Sequence, residues 1–379
     1  MEQEELDIQV DKGSEAEDPK KYVSLKYLLI SISLSILGMV IVFYYTYTPG
    51  LFDNVSMKRL PGLGIAVVVS FLRVWFSAAK IRFLADKEID WLAAFRIILV
   101  WDFTSAITPS SIGGAPMATY AMSKENIKLG KSTAIILYAL LLDMILFALL
   151  VPVLVIGGFY YKVIPNNIGW VGEGVMFIIY ACLLVYAILT SYAIFVNPRI
   201  MRRLITWIFK IRFLRKHRAR AEKEAHLLEE TSRELKTRPI SFLLKAFSMS
   251  TLSWLARIWL PTIIVLSFMP ADVMLSFLRS VAMNLAGLFM PTPGGSGGME
   301  GLFALFQGPL MASRAYFIGI SVFLWRLISY YITIGLGMMA TTWYVKRTVD
   351  DNFLDKNNGD GGMDDGVGSG KSQKAHLSV

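Results

Sequence analysis

The sequence predicts an all-α polytopic membrane protein built as two inverted repeats, with six full spans and two re-entrant helical hairpins. Three observations lead there: long apolar runs, an uneven distribution of lysine and arginine, and a glycine motif that occurs twice at a constant offset.

The chain has 379 residues, 55% of them hydrophobic, and its mean hydropathy is +0.51. Both values lie above those of an ordinary soluble domain. Apolar runs at 25–48, 61–84, 131–157, 172–196, 240–268 and 314–344 approach or exceed the roughly 20 residues that span a bilayer. They are continuous rather than alternating, which excludes a transmembrane β-barrel. Two further apolar segments, 91–123 and 272–308, are broken by "TPSSIGGAP" and "PTPGGSGG". The acidic start, "MEQEELDIQVDKGSEAEDP", has no cleavable-signal pattern, so the first span acts as its own insertion signal.

Cys182 is the only cysteine, which excludes a disulfide framework. His217, His226 and His376 all lie in polar segments, so no histidine metal site is expected in the membrane, and no cofactor is expected. The net charge of +9 is concentrated beside the spans, which fits the positive-inside pattern and an anionic lipid surface rather than nucleic acid. Lysine and arginine at the N-terminal end of the first span, in 80–87, in 124–131 and in the polar insertion 199–238 put these segments in the cytoplasm. The broken segment 91–123 then enters and leaves on the cytoplasmic side, and 272–308 on the outer side; the alternative is that each crosses fully. The expected organisation is a tail at 1–24, a first repeat at 25–157, an external loop at 158–171, a second repeat at 172–344 and a disordered cytoplasmic tail at 345–379. Oligomeric state is not legible.

The repeat rests on spacing. Thr292 of "TPGGSGG" lies 184 residues after Thr108 of "TPSSIGG", and both stretches read T-P-x-x-x-G-G. The same offset carries Arg73 to Arg257 and Trp75 to Trp259. Arg279 and Arg326 each fall one residue short of the positions matching Arg96 and Asp143. Two elements that keep their separation point to internal duplication. Paired broken segments in inverted units place a substrate site where the breaks meet.

Chemistry follows from residue types. Thr108, Ser110, Ser111, Gly113 and Gly114 in the first break, and Thr292, Gly294, Gly295, Ser296, Gly297 and Gly298 in the second, offer free N–H groups and hydroxyls. Each break opens into a short helix whose N-terminus attracts anions. Arg73, Arg257, Arg96 and Arg279 lie in apolar runs, where a charge is costly unless it faces a cavity or a partner. Guanidinium suits phosphate because its fork donates two bonds at once. Glu300 stands at the start of the helix after the second break, either as a favourable charge at a helix N-terminus or as a site residue for an ammonium headgroup or a coupling proton. Asp143 and Arg326 form a candidate buried ion pair, with Asp102 a further acidic partner.

"PTPGGSGGMEG" together with "TPSSIGGAP" resembles the lysylphosphatidylglycerol synthase/flippase transmembrane family over about 25–345. The resemblance implies an integral membrane protein of the prokaryotic cell envelope, associated with translocation of phospholipid or polyprenyl lipid. The soluble aminoacyl transferase domain of its best-known members has no counterpart in this chain. The expected function is a transporter, not an enzyme, that flips an anionic lipid held between the two glycine loops. A lipid-headgroup-modifying enzyme and a scaffold acting through 199–238 are the alternatives.

Overall fold

In the computed structural model the described residues are 25–47, 60–108, 114–165, 237–290 and 292–360, with isolated positions between 174 and 188. The N-terminal tail, most of the expected span 172–196, nearly all of the insertion 199–238 and the chain after 360 lie outside them.

Every element is helical among the described residues. Helix α1 is Leu25–Thr46 and α2 is Leu60–Leu84. The first broken segment is α3, Trp91–Ile107, followed by α4, Ala115–Ser123. Helix α5 is Leu129–Tyr160 and α6 is Ile240–Phe268. The second broken segment is α7, Val273–Gly287, then a 3₁₀ turn at Pro293–Gly295, then α8, Gly298–Gln307. A 3₁₀ stretch at Gly308–Arg314 leads into α9, Phe317–Arg326. A π-helical turn, Leu327–Tyr331, joins it to α10, Ile332–Asp360.

Among the described residues, five helices are long and apolar enough to cross a membrane: α1, α2, α5, α6 and the rod from Phe317 to Arg347. One boundary differs from expectation. Helix α10 runs on to Asp360, whereas the sequence reading ended the last span at 344 and began a disordered tail at 345. "WYVKRTVDDNFLDK" is polar but contains no glycine or proline, so the helix has no breaker until "NNGDGG".

The two broken segments are built alike. Asp90 caps α3 by accepting from the Ala93 N–H at 2.6 Å, and Asp272 caps α7 by accepting from the Leu275 N–H at 3.0 Å. In each, a longer helix is followed by a shorter one that packs back against it. The return is visible in side-chain bonds. Gln307 at the end of α8 donates to the Ser276 carbonyl near the start of α7, at 3.0 Å. Glu88, just before α3, pairs at 2.6 Å with Lys131 in the first turn of α5, just after α4.

Helix α5 links the two mouths. It starts beside the first, at Lys131. Past its other end, the Lys162 carbonyl accepts from Arg279 of the second segment at 3.1 Å. Its 32 residues make it about 48 Å long. The first broken segment thus contacts the start of α5 and the second the residues past its end.

The apolar interior divides accordingly. One core gathers Ala78–Leu84 of α2, α3, α4, Ile135–Leu142 of α5 and Ala340 of α10. The other gathers Leu146–Leu154 of α5, Ile258–Phe268 of α6, and α7, α8 and α9. Asp143 falls where α5 passes from one core to the other, and Arg73, Ser250, Ser253 and Arg257 fall at the same junction on α2 and α6. Helices α2 and α6 pack along each other more extensively than any other pair.

Gly114 shows how tightly the first segment folds back. A Cβ there would lie 2.3 Å from the Trp101 carbonyl oxygen and 2.2 Å from the Ser105 hydroxyl. Gly114→Ala is expected to destabilise the fold by about 1–3 kcal/mol through overpacking. Gly301 lies within α8 and a Cβ there meets nothing within 4 Å. Gly301→Ala should be neutral or stabilising by up to about 1 kcal/mol. Thermal unfolding of the two variants in detergent separates these outcomes.

Candidate functional site

The junction between the two cores holds a cavity of about 240 Å³. Helix α2 presents Ser70, Arg73, Ser77 and Lys80 to it, a stripe at spacings of three and four that places all four on one face. Helix α3 contributes Trp101, Asp102 and Ser105, α5 contributes Asp143, and α6 contributes Ser253 and Arg257. The second break contributes Thr292, Gly294 and Gly295. Arg326 and, within the π-turn, Tyr330 complete the wall.

Three of the four cations are neutralised at contact distance. Arg73 donates to Asp102 at 2.8 Å. Lys80 donates to Asp143 at 2.7 Å, and Ser250 adds a short hydroxyl bond to the same carboxylate oxygen. Arg326 grips Glu300 with two bonds, at 2.9 and 2.8 Å, and donates a third to the Gly295 carbonyl at 3.2 Å. Glu300 is fully buried, lies behind the cavity wall, and accepts a further bond from Ser35 of α1. The fork geometry satisfies both carboxylate oxygens, which a buried pair requires to offset its desolvation.

Arg257 is different. Among the described residues it has no carboxylate and no hydrogen-bond partner; its guanidinium lies 5.0 Å from the Trp254 ring centroid. It lines the cavity and keeps an exposed side chain by accessible surface. Its charged neighbours are Arg73 and Arg326, of like sign, and Asp102 and Asp143, already engaged by other cations. The undescribed apolar stretches 109–113 and 174–196 contain no acidic residue.

The second glycine break is held by hydroxyls. Ser296, Ser31 of α1 and Tyr330 are mutually bonded, and Ser31 also donates to the Ala106 carbonyl at 2.8 Å. Gly294 takes φ +59°, a conformation that disfavours side chains, and a Cβ there would lie 3.0 Å from Ala106 Cα. The second break thus abuts the last turn of α3, two residues before Thr108.

Several expectations need correction. Asp143 and Arg326 do not pair with each other: Lys80 reaches Asp143 first, and Glu300 holds Arg326. Arg96 is not in the cavity lining; its guanidinium lies 3.8 Å from the Trp343 ring centroid on α10. Arg279 is also outside it, bonded to the Phe306 carbonyl of the second segment and the Lys162 carbonyl past the end of α5. Glu300 is sealed by Arg326 and Ser35 rather than open to a ligand. Thr108 caps α3 by donating to the Thr104 carbonyl at 2.8 Å. Gly297 packs against α1, where a Cβ on Gly38 would meet its Cα, and Gly298 opens α8. Ser110, Ser111 and Gly113 lie outside the described residues. Lys80 escaped the sequence reading because it sits near a span end, although the Ser70, Arg73, Ser77, Lys80 periodicity carries the signal. Ser31 and Ser35, one turn apart in α1, carry a weaker signal of the same kind.

A multi-helix bundle with spanning-length apolar helices and a charged internal cavity defines a multi-pass membrane protein. The family description "Lysylphosphatidylglycerol synthase TM region" matches residues 27–337, and the chain belongs to that family. It is also similar to a UPF0104 membrane protein of Archaeoglobus fulgidus, 26% identical over 330 residues, covering 83% of this chain and 96% of that protein. No solved structure matches.

Removing one member of a buried pair strands the other charge, at a cost of about 3–5 kcal/mol. Lys80→Met should therefore destabilise the protein severely by thermal unfolding. Adding Asp143→Leu to it should recover most of the loss.

Proposed function

We propose that the protein is a lipid transporter, not an enzyme, that moves an anionic phospholipid or polyprenyl-phosphate-type lipid between the leaflets of a prokaryotic cell membrane. The observation that carries the proposal is Arg257: an unpaired guanidinium facing a cavity in which the described residues neutralise every other cation. A charge left unpaired at membrane depth is costly unless a ligand or water meets it, and guanidinium is matched to phosphate oxygens.

The architecture supports the same reading. Two broken segments that return on themselves and open at opposite ends of α5 are what re-entrant hairpins in inverted repeats require. The charged layer between the two cores then lies near the bilayer midplane, with the second glycine break in its wall. The archaeal relative's description as a membrane protein supports a membrane role, and the family description supports a tie to lipid. Each carboxylate at or behind the cavity is engaged by a cation, so none stands free as a general base, which favours transport over headgroup chemistry.

Reconstitution into liposomes with headgroup-labelled anionic lipids tests the proposal. Translocation faster than in protein-free vesicles is expected. Arg257→Ala should lower the rate roughly tenfold or more, the worth of one charge-assisted bond. Arg257→Lys should retain part of it, and Arg314→Ala, at an exposed position, should leave it unchanged. Wild-type rates equal to those of empty vesicles for every anionic lipid tried would reject transport.

A further inference from the structure

We infer that the cavity selects a headgroup carrying a single negative charge on a phosphodiester and no ammonium, so that an aminoacylated lipid of the kind in the family description is a poor ligand for this chain. The inference rests on the lipid-transport reading and specifies which headgroup that site takes.

It follows from charge and from unfilled bonds. Arg73, Lys80 and Arg326 are each neutralised by one carboxylate, Asp102, Asp143 and Glu300. The described surroundings of the cavity therefore carry one net positive charge, that of Arg257. One charge on the ligand cancels it. A second, as on a phosphomonoester, would be buried without a counter-ion in a space where an unpaired charge is expensive. An ammonium would meet Arg257 as a like charge. Any carboxylate it reached would already be shared with a resident cation, Arg73 or Lys80, so the added ammonium would face that like charge as well.

The cavity also offers unfilled donors. Arg73 Nε, the Ser105 hydroxyl and the Thr292 hydroxyl are buried and have no hydrogen-bond partner among the described residues, and all three side chains line the cavity. Together with Arg257 they suit the acceptor-only oxygens of a phosphodiester. A space of about 240 Å³ is below the size of pockets that enclose drug-sized ligands, which fits a small headgroup with its acyl chains left outside.

The test measures ligand retention by native mass spectrometry and translocation in liposomes, both at pH 8. The ligands are phosphatidylglycerol, lysylphosphatidylglycerol, phosphatidic acid, and glycerophosphoglycerol, which is the first headgroup without its chains. A phosphomonoester with a second pKa near 6 is dianionic at that pH. Phosphatidylglycerol should be retained and translocated at least tenfold better than either lysylphosphatidylglycerol or phosphatidic acid. Asp102→Asn keeps an oxygen to accept from Arg73 but adds a second net positive charge. It should raise the ratio of phosphatidic acid to phosphatidylglycerol by about tenfold. If phosphatidic acid or lysylphosphatidylglycerol equals or exceeds phosphatidylglycerol in the wild type, the single-charge inference is overturned while transport stands. An unchanged ratio in a folded Asp102→Asn variant overturns it as well. If glycerophosphoglycerol is bound and no lipid moves, the headgroup chemistry holds and the lipid-transport reading fails. If nothing is bound or moved, both fail.

Discussion

Four cations sit together inside an apolar bundle, and the rest of the structure depends on how they are held. A lone charge in such a place costs several kcal/mol, so each must be answered by a carboxylate or left facing open space. Arg73 and Lys80 on α2 are answered from α3 and α5, which ties three helices of the first half to one level. Arg326 is answered by Glu300 across a glycine break, which ties α9 to α8. Helix α2 lies along α6, and the cation of α6 is the one left over. Packing alone would allow these helices to slide; the ion pairs set their register, because moving α3, α5 or α9 by a turn strands two charges and moving α2 strands four.

The glycine break takes its shape from the same network. Its backbone is irregular and buried, and such backbone is tolerated in a membrane only where it lines a cavity or is enclosed by protein. Both conditions are met here. Thr292, Gly294 and Gly295 face the cavity, and Ser296 is enclosed with Ser31 and Tyr330. The Arg326 guanidinium reaches the Gly295 carbonyl as well as Glu300, so a single side chain satisfies the loop and the first turn of the helix that follows it.

Much of this was legible in the sequence. The paired T-P-x-x-x-G-G stretches, the constant offset to Arg73 and Arg257, and the Asp272 boundary located the broken segments to within a residue or two of where they are found. Hydropathy located the five spans found among the described residues because length and apolar content are local properties of the chain. Which charge pairs with which was not legible. Asp143 and Arg326 match in the repeat, yet pairing depends on how α2 and α5 face each other, and the near-terminal position of Lys80 hid it. Arg96 and Arg279 match in the repeat too, but Arg96 lies over Trp343 of α10 and Arg279 reaches the Phe306 and Lys162 carbonyls, and neither lines the cavity. A repeat reports common descent of elements; it does not report which face of each element the other half covers. The end of α10 was misjudged for a simpler reason, since polarity was read as an end where only a breaker ends a helix.

The π-turn at Leu327–Tyr331 carries a consequence of another kind. It sits between Arg326, which must reach Glu300, and the part of α10 that packs along α3. One residue more or fewer in a helix rotates everything after it by about 100°. Deleting a residue from this turn would leave every side chain of the site present, yet swing α10 off the face it shares with α3 or pull Tyr330 away from Ser31 and Ser296. The site is therefore encoded in the count of residues between two anchors as well as in their identity. Apart from Tyr330 and Tyr331, whose hydroxyls are bonded to Ser31, Ser296 and Ser35, substitutions in the turn should be tolerated where insertions and deletions are not.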